Sequence, residues 1–285
     1  MSLFEHALRD SAAETRGALY AGTAFHLAPN EASLAFVSLA RAELAATLGF
    51  EDVRAAHARL SPDDFFERLG RVRKRLYLEP DAHAHVRRVI ASLGFDLADL
   101  AFDPARLRVI AHRGHENPLA APVYYAHRDT WYAHPQALVT WWIPLDDLAE
   151  EETFAFHPAA FAQPIPNDSE IFDYDAWVRD GHSLKIGWQD KRSSTLARYP
   201  GVRGAIEPGP AVGFSCRRGD VLLFAGAHFH GSRPQATGRT RYSLDFRVVD
   251  LADAREGRGA PNVDNRSRGS ALPEYVLGAE RPSTG

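Results

Sequence analysis

The chain has 285 residues, room for one large domain or two small ones, and its 45% hydrophobic and 25% charged residues are an ordinary globular balance. A formal net charge of −4 gives no electrostatic footprint for nucleic acid, and the single cysteine, Cys216, excludes an intrachain disulfide and a cysteine-rich metal cluster. No apolar run approaches the roughly 18 residues of a membrane span, and Met1-Ser2-Leu3-Phe4-Glu5-His6 lacks the basic and apolar regions of a signal peptide, so the expectation is a cytoplasmic protein with neither a nucleic-acid nor a membrane partner.

Residues 1–105 read as helical. Positions 31–48 place Leu34, Val37, Leu44 and Leu48 near helical spacing and stop before Gly49. Positions 63–78 repeat the style behind Ser61-Pro62, a cap followed by a first-turn proline. A third helix is expected over 81–93, closing at Gly94. The basic run Arg71-Val72-Arg73-Lys74-Arg75 reads as a solvated helix face.

After Pro104 the style changes to short aromatic and β-branched runs split by Gly, Pro and Asp. Strands are expected at 107–111, 122–126, 137–143, 220–224 and 242–249, which suits an antiparallel sandwich or barrel. Residues 159–213 form a long irregular insertion with Phe172, Tyr174, Trp177 and Trp188; its aromatic content favours an ordered lid. The tail, 251–285, is rich in Gly, Arg and Pro and is expected to be loose. The whole, 1–285, is taken as a single domain with its β core at 106–250.

Two segments carry chemistry. In Ala126-His127-Arg128-Asp129-Thr130-Trp131, His127 and Asp129 are two apart, and on a strand such residues share a face. In His228-Phe229-His230-Gly231-Ser232 a second imidazole is offered, with Arg239 and Arg241 beyond it. Two imidazoles and one carboxylate on one face leave three positions of an iron ion open, the arrangement of non-haem iron oxygenases. A 2-oxoglutarate bound to such an iron needs a cationic partner for its far carboxylate, which a planar guanidinium supplies better than lysine. Chance supplies about one His-x-Asp in a chain of this composition, so the weight rests on the pairing of the two segments. Periodicity leaves two pairings open, because His228 precedes Arg239 by the same step as His230 precedes Arg241. Arg247 fits an exposed arginine on an edge strand better than Arg241 does.

His127-Arg128-Asp129, Trp142-Ile143-Pro144-Leu145-Asp146-Asp147, Gly219-Asp220-Val221-Leu222-Leu223-Phe224, His230-Gly231-Ser232 and Arg241-Tyr242-Ser243-Leu244 together resemble the phytanoyl-CoA dioxygenase family of iron(II)/2-oxoglutarate-dependent oxygenases, over roughly residues 107–250. The resemblance implies a double-stranded β-helix, a jelly-roll relative of the cupins, mainly β and buttressed by N-terminal α-helices. It implies iron(II) on His127, Asp129 and His230, and 2-oxoglutarate on Arg241 and Ser232, with His228 and Arg239 as neighbours. It implies oxidation, most simply hydroxylation, of a C–H bond using O2, in a family that acts on acyl thioesters, amino acids and natural-product scaffolds; with no basic cluster suited to coenzyme A phosphates, the expected substrate is a small metabolite or natural-product intermediate of secondary metabolism. Related halogenases are expected to replace the carboxylate by a small residue, so Asp129 argues against halogenation. The chain departs from the family at Phe154-Ala155-Phe156-His157-Pro158, where Pro-Gly-Ser-His is common, and at Gln235 in place of an asparagine; both bear on the substrate more than on the cofactor.

Tyr125 and Trp131 share strand parity with the first two ligands and are pocket candidates, though a core role suits Trp131 equally. Trp177 and Trp188 either cap the substrate or form the lid's own core, and His157 either touches substrate or caps a turn. His83, His85, His112 and His115 lack a partner set and read as surface or structural. Two rival functions use the same residues differently. A cupin-type metal enzyme without 2-oxoglutarate leaves Arg241 idle, and a non-catalytic jelly-roll binding module needs no ligand set at all.

Overall fold

The computed structural model describes residues 2–117, 123–179 and 199–279. Two short strands, β1 (Phe4–Glu5) and β2 (Ala24–Leu27), flank helix α1 (Ala12–Tyr20); these pieces are too brief for periodicity to reveal. Next comes α2 (Glu31–Leu48), which starts where the Asn30 side chain accepts from the Ser33 N–H and ends at Gly49, whose φ of 81° favours glycine. In α3 (Pro62–Leu78) the Ser61 hydroxyl caps the Asp64 N–H. Pro80 cannot continue that helix and opens α4 (Pro80–Ser92) instead. The segment Glu31–Ala58 is long and apolar enough on average to cross a membrane, with hydropathy 1.3, but Phe36, Val37, Ala40, Leu44 and Leu48 of α2 are spent on the core shared with α3, α4 and the sheet.

The remaining elements are β3 (Leu100–Phe102), β4 (Arg106–Ile110), β5 (Leu138–Pro144), β6 (Phe154–Phe156), α5 (Tyr174–Arg179), β7 (Val221–Ala225), β8 (His230–Ser232), β9 (Arg241–Asp250), α6 (Leu251–Arg255) and β10 (Val276–Leu277). Among the described residues eight strands form one sheet in the order β1-β2-β7-β5-β9-β3-β10, with β4 also on β9, while β6 and β8 form a two-stranded sheet. Every pairing is antiparallel except β1 with β2.

The central strands divide their side chains by parity. Val139, Trp141 and Ile143 of β5 and Tyr242, Leu244, Phe246 and Val248 of β9 join the helical core. Trp141 stacks on Phe246 with centroids 5.6 Å apart, and full burial of each such side chain contributes about 1.5–3 kcal/mol. The opposite parity carries Thr140 and Trp142 of β5 and Arg241, Asp245 and Arg247 of β9, all of which line one cleft. The small sheet lies over that second face: Phe154 meets Trp142 at 5.3 Å and Phe156 meets Phe224 at 5.0 Å between ring centroids. The structure is therefore sheet-rich, with two sheets packed face to face and helices on the outer face of the larger.

Four expectations are corrected. The run expected as a strand at 122–126 forms none over its described residues 123–126. Its would-be partner β8 is three residues long, only His127 makes a bridge to it, and the chain then coils into a 3-10 turn, Asp129–Tyr132. Arg247 is not an exposed edge residue: β9 is paired on both sides, and this side chain is 5% exposed. The basic run is only partly a solvated face, since Arg71 and Arg75 are exposed but Arg73 turns inward and is 7% exposed. The tail is tied down through its described residues: Asp264 accepts from Trp131 Nε1 at 2.8 Å, and β10 pairs with β3.

Candidate metal centre

The two chemical segments meet as an isolated antiparallel bridge. His127 and His230 exchange both backbone hydrogen bonds, at 2.9 and 3.0 Å. Residues paired this way present their side chains on the same face, and the imidazole centroids lie 4.7 Å apart. Gly231 permits the approach, because a Cβ there would stand 3.0 Å from the Ala126 backbone. Asp129 arrives from the 3-10 turn rather than from strand alternation, and its Oδ1 is 3.8 Å from His127 Nε2. One nitrogen from each histidine and one Asp129 oxygen all lie within 4.8 Å of one another.

Each histidine is oriented by the backbone. His127 Nδ1 lies 2.8 Å from the Tyr125 carbonyl, and His230 Nδ1 lies 2.9 Å from the His228 carbonyl. A carbonyl only accepts, so both Nδ1 atoms carry the proton and both Nε2 lone pairs are free for a metal. Burial, reinforced by the neighbouring His230, pushes His127 down to about 4, and burial likewise lowers His230; both are neutral at pH 7. Asp129 behaves oppositely. Burial alone would raise its carboxyl, but the Arg247 guanidinium, with the Thr140 hydroxyl bonded to the same carboxylate, outweighs burial and holds the group ionised.

The supports of Asp129 were not legible as site residues. Arg247 Nη2 donates to Asp129 Oδ1 at 3.1 Å, and its Nη1 to Asp103 Oδ2 at 3.1 Å; Thr140 Oγ1 donates to Asp129 Oδ2. The register that pairs Thr140 with Arg247 puts both donors beneath the carboxylate. Their shared parity with Arg241 on β5 and β9 is the signal that would have found them. Arg247→Met leaves Asp129 without its cation, and iron(II) affinity is expected to fall about 10–100-fold, as for other residues that orient a metal ligand; competition with a fluorescent chelator measures it.

Arg241 occupies the same cleft, 3% exposed. Its Nε has no partner, Nη1 reaches only the Glu152 carbonyl at 3.4 Å, and the guanidinium carbon stands 6.0 Å from the Trp142 ring centroid. Burial depresses it to about 10. A buried cation lacking a carboxylate is a ready anion site. Ser232 lines the same cleft. The rival pair is not assembled: His228 is enclosed by the rings of Phe156, Phe161 and Phe224, and Arg239 is exposed and paired with Asp52.

The other sequence candidates scatter. Tyr125 is 42% exposed and serves His127 through its carbonyl. Trp131 is fully buried with Phe229, because the 3-10 turn breaks the parity that would have aimed it at the ligands. His157 Nδ1 meets the Gly209 carbonyl at 3.1 Å, and its ring lies against Phe229. Trp177 does line the cleft, as do Tyr132, Phe172 and Tyr199. Trp188 lies outside the described residues.

No protein-family model and no curated protein matches the chain. Among solved structures, it is similar to the "non-heme monooxygenase; ThoJ apo", at 16% identity over 76% of this chain and 70% of that one, with a TM-score of 0.39. It is also similar to "the non-heme alpha ketoglutarate dependent epimerase SnoN from nogalamycin biosynthesis", at 18% identity over 96% and 98%, with a TM-score of 0.42. A third is AviO1 from Streptomyces viridochromogenes Tue57, at 16% identity over 83% and 96%, with a TM-score of 0.43. At such identities and TM-scores the functional argument rests on the chain's own geometry.

Proposed function

We propose that this protein is an iron(II)- and 2-oxoglutarate-dependent oxygenase of the phytanoyl-CoA dioxygenase kind, its two sheets being those of a double-stranded β-helix. The observation that carries the reading is the joint presence, in one cleft, of a two-histidine, one-carboxylate cluster and a buried arginine without a carboxylate partner among the described residues. His127, Asp129 and His230 hold the iron in this reading. Arg241 takes the far carboxylate of 2-oxoglutarate, with Ser232 beside it. When bound, the pair supplies activation of O2 and oxidation of a substrate C–H bond, with release of succinate and carbon dioxide.

The chain's own contribution is positional. Backbone carbonyls fix both imidazoles, Arg247 and Thr140 fix the carboxylate, and Phe154, Phe224 and Trp142 wall the centre from bulk water. Asp129 fills the third protein position, so the chemistry is hydroxylation or another C–H oxidation of a small metabolite rather than halogenation. Titration with iron(II) and then 2-oxoglutarate under argon is expected to give a weak visible charge-transfer band. Arg241→Gln is expected to weaken 2-oxoglutarate binding about 10–100-fold, the worth of charge-assisted hydrogen bonds, while iron binding stays. Bound iron without the band returns the protein to metal enzymes that use no 2-oxoglutarate.

A further inference from the structure

Among the described residues five arginines line the cleft: Arg73, Arg106, Arg108, Arg241 and Arg247. Three are matched by acids. Arg247 shares Asp129 and Asp103, Arg106 shares Asp103 at 3.2 Å, and Arg108 forms a fork with Asp245 at 2.7 and 2.9 Å. Arg241 is accounted for by the co-substrate, and to that extent the role of the fifth arginine rests on the proposed function. Arg73 is left over.

It projects from α3, is more than nine-tenths buried, and donates from Nε to the Leu107 carbonyl at 3.3 Å. Among the described residues it forms no ion pair; burial first, and Arg108 after it, lower its pKa to about 10. An arginine buried next to another arginine is costly unless an anion joins it. The cleft that Arg73 lines also carries a run of aromatic rings. Tyr132 meets His127 edge-on at 5.4 Å, Phe172 meets Tyr132 at 5.4 Å, and Trp177 meets Phe172 at 5.7 Å. On the Arg73 side, the guanidinium of Arg106 sits over the Tyr77 ring at 5.5 Å.

We propose that Arg73 anchors an anionic group of the substrate, a carboxylate, phosphate or sulfate, while a flat apolar body lies along the aromatic wall. Arg73 docks on the Leu107 carbonyl of β4 and is not among the His127, Asp129 and His230 cluster, so the substrate is a molecule that carries its charge away from the atom that is oxidised.

The test uses the full chain loaded with iron(II) and 2-oxoglutarate under argon, titrated calorimetrically with 2-naphthoate and with its neutral isostere 2-naphthamide. Naphthoate is expected to bind at least about tenfold tighter, as a charge-assisted contact to a guanidinium requires. Arg73→Gln is expected to bring the two affinities together without changing the 2-oxoglutarate dissociation constant, and Arg73→Lys to keep part of the preference, which separates loss of charge from loss of fold. Equal affinities in the unaltered chain, no naphthoate binding, or a preference that survives Arg73→Gln each overturn the proposal. Should 2-oxoglutarate fail to bind, the oxygenase reading falls on its own. The same titrations on the Arg241→Gln chain, where Arg73 is the one cleft arginine left without an acid among the described residues, then still decide the question.

Discussion

Asp129→Ala is expected to lower iron(II) affinity by more than about 100-fold, beyond the range seen when a residue that merely orients a ligand is lost, and to take 2-oxoglutarate-dependent succinate release to background. Asp129 is the only anion of the proposed ligand set, and its ionised form is stabilised by Arg247 and Thr140. Without it a dication faces two neutral imidazoles and a guanidinium. The fold survives the change, because Arg247 keeps Asp103 at 3.1 Å. Asp129→Asn preserves the shape and is expected to share the loss, which assigns the effect to charge. Chelator competition and a succinate assay on the same preparation read both quantities. Iron affinity retained within about tenfold in either variant would sink the proposed ligand set.

Arg128→Met is expected to cost about 3–5 kcal/mol of unfolding free energy, the range for breaking a buried pair at one end. Arg128 is 1% exposed and feeds five acceptors: the Asp264 carboxylate and the carbonyls of Phe161, Ala227, Ala160 and Gln163. It thereby ties the loop after β6, the turn before β8 and the C-terminal tail to the point between the two ligands of the first segment. Single domains have about 5–15 kcal/mol in total, so the variant is left marginal. Arg128→Lys is expected to rescue little, since an ammonium has three donors and no planar fork. Urea unfolding followed by circular dichroism measures both variants. A loss below about 1 kcal/mol, the scale of a single ordinary hydrogen bond, would mean that the acceptors find other donors.

The features legible in the sequence were those that repeat locally. The helical spacing of Leu44 and Leu48 and the stop at Gly49 define α2 without help from the rest of the chain. The β-branched and aromatic runs of β5, β7 and β9 are equally plain. The His127, Asp129 and His230 cluster was reached through a motif, yet its geometry is not the one alternation suggests: a bridge and a 3-10 turn bring the residues together. Arg247 was misjudged because its value lies in a pairing 118 residues away. Arg128 showed no role in the sequence, since none of its five acceptors is near it there. The tail looked loose by composition, and one aspartate, Asp264, receiving Arg128, Trp131 and the Ile165 N–H, reverses that.

The division of labour along β9 also governs which genetic changes the protein tolerates. Inserting or deleting one residue inside that strand reverses the facing of every residue on one side of the change, so that cleft residues such as Asp245 and Arg247 turn towards the helices and core residues such as Leu244 and Phe246 turn into the cleft. Core and reaction centre are lost in one event, with no intermediate form to select. Substitutions at Arg73 and Tyr77 on α3, or at Trp177 on α5, disturb no strand register. On the proposed reading, substrate preference is therefore free to drift through the helices while the metal chemistry stays locked to the sheet.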